Sequence, residues 1–255
     1  ETIGYILHLA AETHVDNSIK NARPFVWSNV MGTWGILEFA RTCWNLKRFV
    51  YFGTDEVFGP APEGVNYKEW DRYDCTNPYS ATKAGGEELC LAYANCYGVP
   101  IIITHTMNMF GERQHPEKFI PLCIRKIDAG EEITIHANSD KTKSGSRFYI
   151  HARNVADATH FLLDHKKANN RDKFNIVGEK EVSNYDLAYG IAKILGKELK
   201  YEFVDFHTQR PGHDLRYALS GHKMEFMGWL PPIHFEKSLE KVVIWTLENR
   251  RWLDV

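Results

Sequence analysis

The chain has 255 residues, a formal net charge of −2, and apolar (44%) and charged (25%) fractions typical of a folded protein with one large domain or a domain and a smaller lobe. This charge balance argues against a nucleic-acid partner, and the lack of any apolar stretch of spanning length argues against a membrane one. The five cysteines form no CxxC pair. We therefore expect no disulfide framework, no metal site and a reducing, cytoplasmic location.

Strands and helices alternate in the first half of the chain. Apolar runs of buried-strand length predict strands, and apolar residues at helical spacing between them predict helices. The second helix has Asn77-Pro78 at its start and Gly98 at its end, which are favoured cap residues. The predicted strands are Ile3–Leu9, Arg48–Gly53 and Val99–Thr104, and the predicted helices are Phe25–Trp44 and Tyr79–Tyr97.

The second half of the chain has a looser alternation. The predicted helices are Phe119–Ala129, Val155–Asp164, Ser183–Leu195 and Phe235–Asn249, and the predicted strands are Ile133–Ile135, Phe148–Ile150, Lys173–Val177 and Leu199–Val204. This order of elements predicts an α/β fold, a doubly wound parallel sheet with a smaller C-terminal lobe. We expect residues 1–110 to form the sheet domain and residues 111–255 mainly the lobe, with some segments returning to the sheet.

A tyrosine and a lysine lie four residues apart at the start of the second helix. Tyr79 and Lys83 therefore share one helix face. A nearby ammonium group favours the phenolate and lowers the pKa of a tyrosine toward the range of a general base. Taken alone, the spacing is more often that of an exposed helical pair.

Two adjacent carboxyl groups follow the second strand. Thr54, Asp55 and Glu56 lie where that strand ends, and parallel sheets place their ligands at the carboxyl ends of strands. Asp55 and Glu56 have the chemistry to divide acid and base work between them. The alternative is an acidic turn in which Asp55 caps a backbone N–H.

Two further segments are candidates for ligand binding. The small residues Ala10 and Ala11 after the first strand let a flat cofactor approach the backbone, or simply allow close packing. Arg210 and, upstream, Arg147 have guanidinium groups, which bind two phosphate oxygens at once. Any single arginine is, however, more often a surface residue.

In this order the segments resemble the extended short-chain dehydrogenases that act on nucleotide sugars, and most of all the dTDP-glucose 4,6-dehydratases. The Thr-Asp-Glu triplet is the discriminating feature, since relatives that epimerise or decarboxylate lack this Asp-Glu pair. The segments that carry the resemblance are HLAAETHVDNS (8–18), NVMGT (29–33), GTDEVFG (53–59), NPYSATK (77–83), YGVP (97–100), NMFGERQHPEKFIP (108–121) and RPGHDLRYAL (210–219).

The resemblance implies a Rossmann-like fold, NAD as cofactor and a nucleotide-diphosphate sugar as substrate. It implies that Tyr79 takes the proton of the sugar C4 hydroxyl, that Lys83 holds the nicotinamide ribose and that Thr54 bonds the C4 oxygen. Glu56 would remove the C5 proton and Asp55 would protonate the departing C6 hydroxyl. The implied cofactor-binding residues are Ala10, Ala11, Thr13, Asn29, Tyr79 and Lys83. The implied substrate-binding residues are His14, Asn108, Glu117, Lys118, Arg147, Arg210 and His213.

Three departures accompany the resemblance. The family's glycine-rich phosphate loop, expected roughly seventy residues before Glu1, is absent from these 255 residues. The usual Ser-Asn-Asn-Tyr-Gly is replaced by Met107-Asn108-Met109-Phe110-Gly111, and the loop before Arg147 is long and lysine-rich. We therefore expect Ile3–Leu9 to be an edge strand, NAD to bind this chain poorly, and the chain to be prone to aggregation.

The alternatives are another nucleotide-sugar epimerase, decarboxylase or dehydratase of the same fold, and a non-catalytic fragment unable to bind NAD. We also expect a homodimer through helices 25–44 and 79–97, since Trp34 and Trp44 give the first helix more apolar surface than one sheet face requires. Gly85-Gly86 predicts a close helix approach in the second helix.

Overall fold

The computed structural model describes residues 3–165, 168–206 and 215–253. The chain divides into two compact units. The first unit comprises Glu1–Met107, Ala158–Ile176 and Gly212–Trp229, and the second comprises Asn108–Asp157, Val177–Pro211 and Leu230–Val255. All five cysteines are free thiols. Among the helices of the described residues, none combines the length and the apolar character needed to cross a membrane.

The strands are short and mostly parallel. In chain order they are β1 (Tyr5–His8), β2 (Arg48–Thr54), β3 (Ile101–Thr106), β4 (Met109–Phe110), β5 (Ile133–Ala137), β6 (Ser146–Arg147), β7 (Ile150–His151), β8 (Lys173–Ile176), β9 (Val182–Ser183) and β10 (Tyr201–Asp205).

The helices are α1 (Val15–Lys20), α2 (Arg23–Phe25), α3 (Gly32–Thr42), α4 (Pro78–Tyr97), α5 (Phe119–Ala129), α6 (Ala152–Asp164), α7 (Asn184–Leu195), α8 (His222–Phe226) and α9 (Phe235–Glu248). A π-helical segment, Val26–Met31, joins α2 to α3, and 3₁₀ turns cover Asp55–Phe58 and Arg250–Trp252.

The first unit contains a parallel sheet in the order β1-β2-β3-β8. The register pairs His8 with Tyr51 and Thr54 with Thr106, so β2 and β3 end side by side. The α/β class and the parallel sheet predicted from the sequence are confirmed. In the described part of the chain β1 lies at the sheet edge, which confirms the predicted edge strand.

Helix α4 is fixed at both ends by its sequence. The side chain of Asn77 accepts from the N–H of Ser80 at 2.9 Å, and the hydroxyl of Ser80 accepts in return from the N–H of Asn77 at 3.4 Å. Pro78 occupies the first turn, and Gly98 takes the left-handed conformation (φ 67°) that ends the helix. The predicted caps are thus confirmed.

An apolar core lies between the sheet and helices α3 and α4, and it includes Leu37, Phe49, Tyr51, Cys90, Tyr93, Val99, Ile101 and Ile103. Gly86 allows the close approach predicted for α4, because a Cβ there would lie 2.5 Å from Tyr51 Oη and 2.7 Å from the carbonyl of Asn29. Gly85 has ordinary space, with Val30 3.5 Å away. The close approach is therefore made by one glycine, within the chain.

Some element boundaries differ from the sequence prediction. The helix predicted over Phe25–Trp44 runs from Arg23 to Thr42 and contains the π-helical segment, and Trp44 lies beyond its end. Strand β3 begins at Ile101, two residues late, because Pro100 has no N–H to donate to a sheet. Helices α1 and α8 were not predicted, since both are short and lack a long apolar period.

The second unit has its own apolar core. Helices α5 and α7 pack on β5, which pairs in parallel with β10, and α9 packs on α7 and α5. The buried residues of this core include Ile124, Ile133, Ile135, Leu187, Ile191 and Val243.

Candidate active site

The end of β2 brings together the three polar residues predicted there. Thr54 and Asp55 are buried, with exposed fractions of 6% and 5%. The Thr54 hydroxyl donates to Asp55 Oδ1 at 3.1 Å and accepts from the N–H of Glu56 at 3.3 Å. Thr54 is therefore a residue that caps this turn.

Glu56 is joined to the start of α4. The side-chain amide of Asn77 donates to Glu56 Oε2 at 3.2 Å while its oxygen caps the helix. Because an amide donor favours the ionised form of a carboxyl group, this bond fits the base role that the resemblance implies for Glu56. Asn77 was predicted as a cap, but its contact with Glu56 was not predicted.

Tyr79 lies next to these groups on the first turn of α4. Burial raises the pKa of its phenol well above the usual value, the negative charges of Glu56 and Asp55 raise it further, and a hydrogen bond with Thr54 acts in the opposite direction. The N–H of Tyr79 donates to the Ser18 hydroxyl at 3.1 Å, which ties α4 to α1. The structure thus places Thr54, Asp55, Glu56 and Tyr79 at one site.

Lys83 is buried one turn further along α4, with 4% of its surface exposed. Burial lowers the pKa of its ammonium group to about 8, although Cys90 and Glu87 act to raise it. Its Nζ lies 4.4 Å from the centre of the Tyr51 ring. The expectation that Lys83 lowers the pKa of Tyr79 is therefore wrong for this arrangement, in which burial dominates and the ammonium group contacts Tyr51.

The loop after β1 is held by Asn29 of the π-helical segment. Asn29 Oδ1 accepts from the N–H of Glu12 at 2.9 Å, and its Nδ2 donates to the carbonyl of Glu12 and to Thr82 Oγ1, each at 3.0 Å. Asn29 is 1% exposed. Since both amide hydrogens are used in bonds within the protein, Asn29 holds the backbone of the predicted cofactor loop in place and does not itself offer a donor to a ligand.

The rest of the predicted cofactor loop borders the same end of the sheet. Ala10 and Thr13 are exposed and Ala11 is half-buried, so a flat ligand has access to this backbone. His14 is half-buried and precedes α1, where its carbonyl accepts from the N–H of Ser18 at 3.0 Å.

The other predicted substrate-binding residues belong to the second unit or lie outside the described residues. Asn108 and Glu117 are exposed, Lys118 precedes α5, and Arg147 donates from Nη1 to the carbonyl of Ser146 at 2.7 Å. Arg210 and His213 lie outside the described residues. The roles of all these residues in substrate binding stay predictions.

Comparison with known proteins gives the family. The family model of the NAD-dependent epimerases and dehydratases matches residues 1–177. The chain belongs to this family. The resemblance inferred from the motifs is confirmed. The family's glycine-rich segment is not among the motifs that carry it.

Several relatives are dehydratases. The chain is 35% identical to dTDP-glucose 4,6-dehydratase 1 of Escherichia coli (strain K12), over 98% of the chain and 74% of that protein. It is 36% identical, over 99% of its length, to a trifunctional UDP-glucose 4,6-dehydratase, epimerase and reductase of Arabidopsis thaliana, of which it spans only 37%.

Solved structures of family members have the same fold. A dTDP-glucose 4,6-dehydratase from Streptomyces venezuelae, crystallised with NAD, superimposes with a TM-score of 0.88 at 32% sequence identity. The superposition includes 98% of this chain and 75% of the Streptomyces chain. A UDP-glucuronic acid 4-epimerase from Bacillus cereus, also with NAD, gives a TM-score of 0.88 at 24% identity, which shows the fold alone.

The residues at this site fit one end of the family's cofactor, NAD. A buried ammonium group on Lys83, a phenol on Tyr79 and the accessible backbone of Ala10 are suited to a ribose and a flat ring. The sequence contains no glycine-rich loop for a pyrophosphate. The described site thus fits the nicotinamide and its ribose.

Proposed function

We propose that this protein is a nucleotide-sugar 4,6-dehydratase that uses NAD and resembles the dTDP-glucose enzymes. The observation that supports this most is the meeting of Thr54, Asp55 and Glu56 with Tyr79 at the end of β2. The relatives named above as dehydratases support the same reaction. A cytoplasmic location belongs to the proposal and is supported by the five free thiols.

Each residue has a defined task in the proposed reaction. Tyr79 accepts the proton of the C4 hydroxyl, and Thr54 donates a hydrogen bond to the C4 oxygen. Bound near Lys83 and Tyr79, NAD would supply the hydride chemistry, namely removal of hydride from C4 and its return to C6. The 4-keto group acidifies the C5 proton, which Glu56 removes, and Asp55 protonates the C6 hydroxyl as it leaves as water. When hydride reaches C6, Glu56 gives its proton back to C5. Lys83 holds the nicotinamide ribose.

Product analysis tests the reaction. Because NAD is expected to bind this chain poorly, the protein is incubated with a large excess of NAD⁺ and with dTDP-glucose or UDP-glucose. It is expected to give a 4-keto-6-deoxy sugar that has lost one water, which mass spectrometry detects. An epimerase leaves the mass unchanged, and a non-catalytic fragment gives no product. Either of these results would contradict the proposal.

Substitution of the two central residues separates the steps. Glu56→Gln is expected to lower dehydration by about 10²- to 10⁴-fold while reduced cofactor still appears, because only the C5 base is lost. Tyr79→Phe should block the first hydride transfer itself. Glu88→Gln, at an exposed position of α4, is the control and should behave as the wild type. Wild-type dehydration by Glu56→Gln would show that the assigned role is wrong.

We further propose that the protein is a homodimer through helices 25–44 and 79–97. The first of these segments supports the proposal, because it exposes several large apolar side chains: Val26, Trp27, Met31, Trp34, Ile36, Phe39 and Trp44. The second exposes one, Tyr97.

Sedimentation equilibrium at micromolar concentration tests the dimer. It is expected to give twice the chain mass for the wild type and a shift toward monomer for Phe39→Glu. Ile244→Glu, at a comparably exposed apolar position of α9, is the matched control. A monomeric wild type contradicts the dimer and leaves the proposed reaction unaffected.

A further inference from the structure

The ammonium group of Lys83 rests against an aromatic ring. Nζ of Lys83 lies 4.4 Å from the centre of the Tyr51 ring, which belongs to β2. Within the described part of the chain, no ion pair with a carboxylate accompanies this contact. A cation over the face of a tyrosine ring is attracted by the negative charge density of that face, and the attraction increases when both groups are buried.

Tyr51 also holds the backbone of Lys83. Its hydroxyl donates to the carbonyl oxygen of Lys83 at 3.0 Å, and its side chain is fully buried. Burial raises the pKa of this phenol far above its usual value, so the hydroxyl keeps the proton that it donates. The missing side chain at Gly86 makes room for Tyr51 beneath α4, since a Cβ there would lie 2.5 Å from Tyr51 Oη.

The other titratable groups that face Lys83 are His8 of β1 and Glu87 and Cys90 of α4. Burial and the charge of Lys83 lower the pKa of His8 to about 4, so its ring is neutral at neutral pH. Its Nε2 bonds Thr33 Oγ1 at 2.9 Å, and its ring packs 5.8 Å from that of Tyr51. The Tyr51 ring is thus the direct contact that favours the charged form of Lys83.

We propose that Tyr51 is a positioning residue for Lys83, which it holds at two points: the ring face fixes the ammonium group and the hydroxyl fixes the carbonyl. This inference rests on the proposed function, in which Lys83 binds the nicotinamide ribose beside Tyr79. Tyr51 lies three residues before Thr54 on the same strand. The strand that carries Thr54 therefore also sets the position of Lys83.

Ring fluorination tests the contact without changing the volume of the side chain. Position 51 is replaced by phenylalanine and by phenylalanines with one, two or three ring fluorines, which weaken the ring face in steps. The pKa of Lys83 is read from its carbon-13 chemical shift, assigned by comparison with Lys83→Met. We expect this pKa to fall stepwise from its value of about 8, by about half a unit to one unit over the series.

Phe49 provides the matched control. It is fully buried on the same strand, two residues earlier on the same side, and its ring contacts His8 at a centroid distance of 6.2 Å. The same fluorinated series at position 49 should leave the pKa of Lys83 unchanged. Circular dichroism checks that each variant is folded.

Three results are informative. A Lys83 pKa that does not respond to fluorination at position 51, or that responds equally at position 49, overturns the positioning role. A stepwise fall at position 51 alone, accompanied by a matching fall in dehydratase kcat/KM, supports it. A stepwise fall in a protein whose wild type has no dehydratase activity keeps the positioning role and removes the proposed reaction, because the titration requires no substrate.

Discussion

Because Lys83 is buried, we expect the free energy of unfolding to change with pH in the alkaline range. Burial lowers its pKa from 10.5 to about 8, so between these values the native state binds fewer protons than the unfolded state. The free energy of unfolding therefore rises with pH across this window. Relative to Lys83→Met, we expect the wild type to gain up to about 3 kcal/mol between pH 8 and 10.5.

Urea unfolding of both proteins at closely spaced pH values measures this difference. Below the folded-state pKa of about 8 the difference between the two proteins should be constant, because Lys83 is then charged in both states. Parallel pH profiles of the wild type and Lys83→Met above that pH would show that the ammonium group is not desolvated as described.

At the scale of single residues, the reactive side chains could be predicted from the sequence, but the residues that position them could not. Tyr79 and Lys83 have a spacing that specifies one helix face, and Thr54 follows a recognisable strand. Tyr51 reads only as an apolar residue in a buried strand. Its two contacts with Lys83 depend on how closely α4 approaches β2, and the glycine at position 86 is the one signal of that approach.

Glu87 joins three elements of the first unit through a buried polar cluster. On α4, it contacts His105 of β3 at 3.1 Å and Lys173 of β8 at 2.7 Å, and none of its side chain is exposed. Burial acts to raise its pKa, but His105 and Lys173 outweigh it and lower the pKa to about 2. The carboxylate is therefore ionised and paired in the folded protein at neutral pH.

Removing this charge should destabilise the protein strongly. We expect Glu87→Gln to lower the free energy of unfolding by about 3–5 kcal/mol at pH 7, because the buried ammonium group of Lys173 loses its carboxylate. Since the folded pKa lies below the unfolded value of 4.5, the deficit should shrink as pH falls from 4.5 toward 2. Chemical denaturation at pH 7 and pH 3 measures both effects.

Glu88→Gln is the matched control for Glu87→Gln. Glu88 is the next residue on α4 but is exposed, so its substitution should change stability by less than about 0.5 kcal/mol. Equal effects of the two substitutions would mean that the cluster contributes nothing beyond a surface charge.

At the scale of elements, periodicity predicted which segments are helices and strands but not the interior of the helix over 23–42. The π-helical segment contains Asn29, whose side chain bonds Glu12 and Thr82. Those partners are 17 and 53 residues away in the chain. A distortion that depends on contacts at such distances has no local signal in the sequence.

At the scale of the whole molecule, the alternation of strands and helices specified the parallel sheet, and the resemblance specified β1 as its edge. The residues of β1 make this edge position a risk for association between chains. Tyr5 and Leu7 are 41% and 45% exposed on a strand whose outer side lacks a partner among the described strands. An exposed apolar edge strand is a template for pairing with other chains.

We therefore expect the 255-residue chain to associate beyond the proposed dimer, through β1, as its concentration rises above the micromolar range, and Leu7→Lys to reduce this association. A charge on an edge strand disfavours pairing between chains, whereas at an exposed position it should change the free energy of unfolding by less than about 0.5 kcal/mol. Light scattering against protein concentration measures association, and a thermal melt measures stability. Ile244→Lys, at a 45% exposed position of α9, introduces the same charge far along the chain from β1. If both variants reduce scattering equally, the cause is net charge and not the edge strand.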